Sequence, residues 1–216
     1  VFNHMMMKEI HDQPTSLSNA LSGRISADGY KAELSGFSLT PEEIKKLDKI
    51  NIVSCGTAYY ASLIIVEYIR KFSKVNAEAF RASEFPAIQA CSGDTLTIGI
   101  TQSGETKDTL DALMEAKKHG SKVASMCNVI GSTVSRFTGN GAYLYAGPEY
   151  AVASTKVYTN MLANGLLLAL TISDIPDDER LEIVQSLRML PNLLSTQLIN
   201  SDDAIGIKII FLFYIL

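Results

Sequence analysis

An α/β fold with a parallel sheet covered by helices on both faces is predicted by three features of the chain. Apolar strand segments alternate with helical segments along most of its length, the pattern of βαβ units. Several strands end in a turn bearing glycine or hydroxyl residues that leads directly into a helix. The composition, 47% hydrophobic and 19% charged over 216 residues, supports a buried core and excludes disorder.

Taken in order, Asp12-Gln13-Pro14 reads as a helix entry, with Pro14 in the first turn of a helix through Leu21. Thr40-Pro41-Glu42-Glu43 is a capping box, with Thr40 as cap and Glu43 at the third helical position. Lys49 to Cys55 is a strand, Gly56-Thr57-Ala58 a turn, and Tyr59 to Phe72 a helix with Leu63, Val66, Ile69 and Arg70 at helical spacing. Val75 to Phe80 and Leu96 to Thr101 are strands. The helix Thr106 to His119 is expected to bury Leu110, Leu113 and Met114 on one stripe and to end at Gly120. Lys122 to Cys127 and Ala142 to Tyr145 complete the strands. Ser154 is expected to cap a long apolar helix reaching about Ile172.

In such sheets ligands bind beyond the carboxyl ends of the strands. Three loops are expected to converge there: Cys55 to Ala58, Thr101 to Thr106, and Val152 to Thr155. The central loop, Thr101-Gln102-Ser103-Gly104-Glu105-Thr106, combines neutral donors with a helix start. Unpaired N–H groups and partial positive charge at a helix start accept an anion without a lysine. One capping hydroxyl, which stabilises by about 0.5–2 kcal/mol, does not explain four donor side chains together. Glu105 and Asp108 would repel a phosphate if turned inward, so they are expected to face solvent or pair with a neighbour. Glu149 is a candidate to face a sugar or to orient the third loop, beside the simpler reading of a solvated carboxylate.

The net charge of −4 argues against nucleic acid as a partner. Three cysteines, Cys55, Cys91 and Cys127, form no Cys-x-x-Cys pair and read as reduced core or strand residues of a cytoplasmic protein. The three histidines form no catalytic constellation, and no metal site or cofactor is expected. Walker and Gly-x-Gly-x-x-Gly patterns are absent, so nucleotide binding ranks low. The apolar runs Met161 to Ile172 and Ile205 to Leu216 fall short of the roughly 20 residues of a membrane span.

Lys8-Glu9-Ile10 with Gln13-Pro14, Cys55-Gly56-Thr57, Ala82-Ser83-Glu84-Phe85, Gln102 to Thr106 and Val152 to Lys156 stand in the same order as in the glutamine–fructose-6-phosphate aminotransferase family. The chain resembles the first sugar isomerase (SIS) domain of that family from about Phe2 to Asn200. The resemblance implies a three-layer α/β/α sandwich with a five-stranded parallel sheet. It implies fructose 6-phosphate as ligand, or its product glucosamine 6-phosphate, with the phosphate held at Thr57, Ala58, Thr101, Gln102, Ser103 and Thr106. Val152 and Ser154 would contact the sugar. It further implies amino-sugar (hexosamine) synthesis, an ammonia-supplying glutaminase domain, a second SIS domain and a homodimer.

The chain departs from the family pattern at Ala58, where a serine is usual, and at Thr101, which replaces a serine but keeps the hydroxyl. Losing a hydrogen bond to a charged group costs about 1.5–3 kcal/mol, so Ala58 predicts weaker phosphate binding. Domain organisation is expected as an SIS domain over residues 1–200, with a helical lead-in at 8–48. Residues 201–216 read as the truncated start of a second SIS domain or an aberrant tail, with Ile209 to Phe213 as a possible strand. The start, without an initiator methionine or basic leader, reads as a segment of a longer protein. With Glu149 the only acid/base candidate, binding without turnover is expected. A regulatory sugar-phosphate-sensing SIS module and an inactive paralogue are the alternatives.

Overall fold

The computed structural model describes residue 2 and residues 4–26, 32–34 and 36–199. The expected strand at 209–213 lies outside the described residues. Five parallel strands form one sheet in the order β2-β1-β3-β4-β5: β1 (Lys49–Ser54), β2 (Asn76–Arg81), β3 (Thr95–Thr101), β4 (Lys122–Cys127) and β5 (Gly141–Tyr143). This is a doubly wound order, and the direction of winding reverses between β1 and β3.

Nine α-helices surround the sheet among the described residues: α1 (Met5–His11), α2 (Gln13–Leu21), α3 (Pro41–Lys46), α4 (Thr57–Phe72), α5 (Ala87–Ala90), α6 (Lys107–Lys118), α7 (Thr133–Thr138), α8 (Lys156–Thr171) and α9 (Asp177–Ile199). Strand side chains alternate between two cores, as the period of two requires. Ile50 and Ile52 of β1, Leu96, Ile98 and Ile100 of β3, and Ala124 and Met126 of β4 face α4, α8, α2 and α9. Val53, Val123 and Cys127 face α6 and α7. The result is helix, sheet and helix in three layers.

The predicted entries hold in detail. Pro14 sits in the first turn of α2. Thr40 accepts from the Glu43 N–H while the Glu43 carboxylate accepts from the Thr40 N–H, closing the capping box before α3. Three expectations are corrected. Met114 is half exposed, because α6 turns Thr109, Ala112, Leu113 and Ala116 inward instead. Leu63 of α4 is also exposed, the inward face being Ala58, Ala61, Ile65, Val66, Ile69 and Phe72. Ser154 does not cap α8: Thr155 occupies the cap position, and the Glu149 carboxylate takes the helix-start N–H groups.

Helix α8 is buried on nearly all sides and packs against α4 and α2. It approaches α4 closely because Gly165 has no side chain: a Cβ there would overlap the branched side chain of Ile65. Ile65 is fully buried and has nowhere to go. Gly165→Ala is therefore expected to destabilise the domain by about 1–3 kcal/mol in denaturant unfolding. Combining it with Ile65→Ala should cost less than the sum of the two single changes, and simple additivity would refute the steric account.

Candidate functional site at the strand ends

The carboxyl ends of β1 and β3 meet the third loop in one polar cleft of about 190 Å³. Its lining brings together Thr57, Ala58, Thr101, Gln102, Ser103, Thr106 and Ser154, with Cys55, Ile100 and Met161 at the base and sides. These segments are distant in sequence, and the reversal of winding between β1 and β3 is what leaves the gap. Val152 is not part of the lining: it is fully exposed on the loop. A larger groove of about 530 Å³ runs between α4 and the edge strand β2, lined by residues such as Leu63, Ile64 and Phe80. It is mainly apolar and holds none of the strand-end hydroxyls, so the smaller cleft is the candidate site.

The central loop organises itself before any ligand arrives. The Thr101 and Thr106 hydroxyls bond each other at 2.9 Å, and Thr101 Oγ1 also accepts from the Gly104 N–H at 3.2 Å. Ser103 Oγ accepts from the Glu105 N–H at 3.1 Å. A hydroxyl that accepts still has its own hydrogen to donate. Ser103 therefore keeps a donor, and the Thr101–Thr106 pair, which shares one hydrogen between its two oxygens, keeps another. None of these side chains caps α6, whose N-cap Thr106 makes no side-chain capping bond.

The loop is docked on the start of α7. Gly104 donates from its backbone to Thr101 and accepts at its carbonyl from the Val134 N–H at 2.9 Å. Its φ of +69° is the left-handed region, and a Cβ would overlap the Ser132 hydroxyl. Glu105 turns away from the cleft and accepts from the Thr133 N–H at 2.9 Å. Bonds from Thr133 hold its carboxyl below the usual range. That satisfies the expectation that Glu105 would pair with a neighbour and keeps its negative charge turned away from the cleft.

Asn128, at the end of β4, is a residue the sequence analysis did not single out. Its N–H donates to the Gln102 carbonyl at 3.2 Å, while its amide accepts from Ala146 N–H and donates to the Gly147 carbonyl. One residue thus joins the central loop, through its backbone, to the 146–147 turn that leads into the third loop, through its side chain. A lone asparagine after a strand gives no such signal, because both partners come from other loops.

The third loop is held by two carboxylates. Glu149 Oε1 accepts from Thr155 N–H at 2.8 Å and Val157 N–H at 3.2 Å, so it orients the loop and does not line the cleft. Glu9 of α1 accepts from the N–H groups of Tyr150 and Ala151. Within this frame the Ser154 hydroxyl oxygen is buried with no hydrogen-bond partner. Just beyond, Lys156 is 5% exposed and pairs with Asp12 at 3.1 Å, which also pairs with Lys8. Burial pushes the Asp12 carboxyl up, but bonds from Lys8 and Lys156 outweigh it and hold it below its ordinary value.

Cys127 is buried and Cys55 and Cys91 partly so, all unpaired, and burial pushes the Cys91 and Cys127 thiols up. Among the described residues no group of three or more His, Cys, Asp or Glu is placed to hold a metal, and no helix is long and apolar enough to cross a membrane.

The SIS domain family profile matches residues 43–171, more than half of the chain and the whole sheet with both of its central loops. The chain belongs to the SIS domain family. Among curated proteins it is similar to the glutamine–fructose-6-phosphate aminotransferase (isomerizing) of Caldanaerobacter subterraneus, 41% identical over 93% of this chain and 34% of that protein. The enzyme of the same name from Thermotoga maritima is 42% identical over 91% of this chain and 33% of that protein. Among solved structures, the C-terminal domain of glucosamine-fructose-6-phosphate aminotransferase from Francisella tularensis superposes with a TM-score of 0.81 at 30% identity, covering 89% of this chain and 55% of that one. A phosphosugar isomerase fold from Silicibacter pomeroyi follows at a TM-score of 0.67 and 17% identity, a likeness of fold alone. The chain spans about a third of the length of the curated relatives it matches.

Two outcomes follow from this geometry. Gly104→Ala is expected to lower stability by about 1–3 kcal/mol through backbone strain and the clash with Ser132, and to expose the 101–106 amides to hydrogen exchange. A variant with unchanged exchange there would contradict the docking on α7. Because the folded carboxyl of Asp12 lies below its reference of 3.8, its stabilising contribution is complete above that value and lost as pH falls through the lower folded value. The melting-temperature gap between the native chain and Asp12→Asn should therefore stay constant from neutral pH down to about pH 5 and shrink below about pH 4. A gap that widened on acidification would reverse the sign.

Proposed function

We propose that this domain binds a sugar phosphate, fructose 6-phosphate, in the strand-end cleft, with the 101–106 loop holding the phosphate and the 149–155 loop facing the sugar. The observation that carries the reading is the convergence of hydroxyl-bearing loops from three distant segments on one cleft at the reversal between β1 and β3. The starts of α4 and α6 both point there, and neither N-cap is occupied by a side-chain bond. An orphan buried hydroxyl costs about 1–3 kcal/mol, which a sugar hydroxyl at Ser154 would recover. Val152 would meet the sugar from the rim. The names of the similar aminotransferases point to the same ligand.

The chemistry of the longer relatives would need more than this cleft supplies. Its described lining carries no carboxylate, imidazole or amine, and the Glu149 carboxylate is committed to α8. A ketose-to-aldose shift requires groups that take and give protons within hydrogen-bond reach of the sugar carbons. On this reading the domain holds the sugar phosphate for glucosamine 6-phosphate synthesis. The glutaminase domain, a second SIS domain and a homodimer partner would contribute the nitrogen and the proton transfers, in the cytoplasm. The chain alone binds without turnover.

Calorimetric titration with fructose 6-phosphate tests this. Ser103→Ala should weaken binding about tenfold or more, and Ala58→Ser, which restores a donor beside the phosphate loop, should tighten it about tenfold. No binding at millimolar ligand, or indifference to both changes, would sink the reading. Formation of glucosamine 6-phosphate from ammonia and fructose 6-phosphate by this chain alone would sink the claim of no turnover.

A further inference from the structure

We propose that Glu9 is a positioning residue for the sugar-facing loop: a buried carboxylate on α1 that fixes the backbone of Tyr150 and Ala151 and thereby sets Ser154 on the cleft. The inference rests on the sugar-phosphate reading above. Glu9 is 1% exposed, although Met5, Met6 and Met7 on the same helix are exposed. Its Oε1 accepts from Tyr150 N–H at 2.6 Å and Ala151 N–H at 3.3 Å, and its Oε2 accepts from Ala151 N–H at 3.2 Å. A carboxylate accepting from N–H groups makes stronger and shorter bonds than a neutral acceptor does.

The loop needs such an anchor because its own side chains pack little. Tyr150 is 72% exposed and Val152 fully so. A segment with few buried apolar contacts opens easily unless hydrogen bonds hold it. Glu149 grips the far end through Thr155 and Val157, which leaves 152–154 as the short span between two carboxylate anchors. That span carries the unpartnered Ser154 hydroxyl. Ordering it in advance spares a ligand the entropic cost of doing so. The neighbouring residues of the same corner extend the hold onto α8: Asp12 meets Lys156 at 3.1 Å, and Gln13 accepts from the Thr159 hydroxyl at 2.5 Å.

The phosphate-facing loop has its own anchors at the start of α7, where the Val134 N–H meets the Gly104 carbonyl and the Thr133 N–H meets the Glu105 carboxylate. This independence allows a test. Glu9→Gln keeps the size of the side chain but turns one acceptor into a donor that faces an N–H. In Glu9→Gln the dissociation constant for fructose 6-phosphate should rise about tenfold, while that for inorganic phosphate stays unchanged. Amide exchange at Tyr150 and Ala151 should accelerate without a matching loss at 101–106, and Glu9→Asp, which keeps the charge, should fall between the two. Unchanged exchange at Tyr150 and Ala151 in a folded variant overturns the proposal. So does a parallel loss of affinity for both ligands, which a general loss of structure would produce. A native chain that binds neither ligand overturns the sugar-phosphate reading and the positioning role with it, and the exchange measurement then decides the structural clamp on its own.

Discussion

The rest of the structure depends on a buried polar seam between α2 and α8. Helix α8 is apolar nearly all round, so hydrophobic burial alone would tolerate many rotations and offsets. Hydrogen bonds that must be made in the interior do not. Gln13 meets Thr159, Ser16 meets Asn160 at 3.0 Å, and Arg24, just past the end of α2, meets Asn164 one turn beyond Asn160. Asn160 also donates to the carbonyls of Ser16 and Leu144, and Arg24 donates to the Tyr143 carbonyl at 2.6 Å. A shift of one residue would orphan these groups together, at about 1–3 kcal/mol for each. The seam thus sets α8 in register against both the N-terminal helices and the end of β5.

The site inherits that register. Because α8 begins at Lys156, where its neighbour Asp12 ends the turn between α1 and α2, the preceding loop is delivered to the cleft at a defined height. Glu149 and Glu9 then hold its backbone from either side. The central loop is set by a different device, its docking on α7 through Gly104 and Glu105, and Asn128 ties the two loops together. Two hydrogen-bonded loops thus stand on opposite sides of one polar cleft. Ala58 sits in this frame as a core residue, 7% exposed, whose carbonyl accepts from the Ser62 hydroxyl. The missing donor therefore leaves the start of α4 intact and affects only what the cleft can offer.

The parts of the site that were legible before the structure are those whose signal is local. The run Thr101 to Thr106 announces a strand end, a turn and a helix start within a few residues, and Thr40 to Glu43 announces its own cap. Asn128 and Glu9 were not legible, since their partners lie in loops brought close only by folding, 141 residues away in the case of Glu9 and Tyr150. Ser154 was misread for a related reason. Its position before an apolar helix suits a cap, yet Glu149 supplies the cap from five residues upstream of it and leaves the serine facing the cleft. Helix α9 drew no assignment although Val184, Leu187, Leu190, Leu194 and Leu198 repeat at helical spacing, because Pro191 interrupts the pattern.

By itself the sequence determined the α/β class, the five strands, the helices α2, α3, α4, α6 and α8, and which loops carry donors, because periodicity, capping and turn chemistry act over a few residues. It also carried the membership of the SIS domain family through motifs that match in order. Only the tertiary structure decided that the donor loops share one cleft and that two glutamates serve as loop anchors. It alone settled which faces of α4 and α6 are buried. The physical reason is common to all three: they depend on contacts between segments far apart in the chain, and such contacts leave no trace in local spacing.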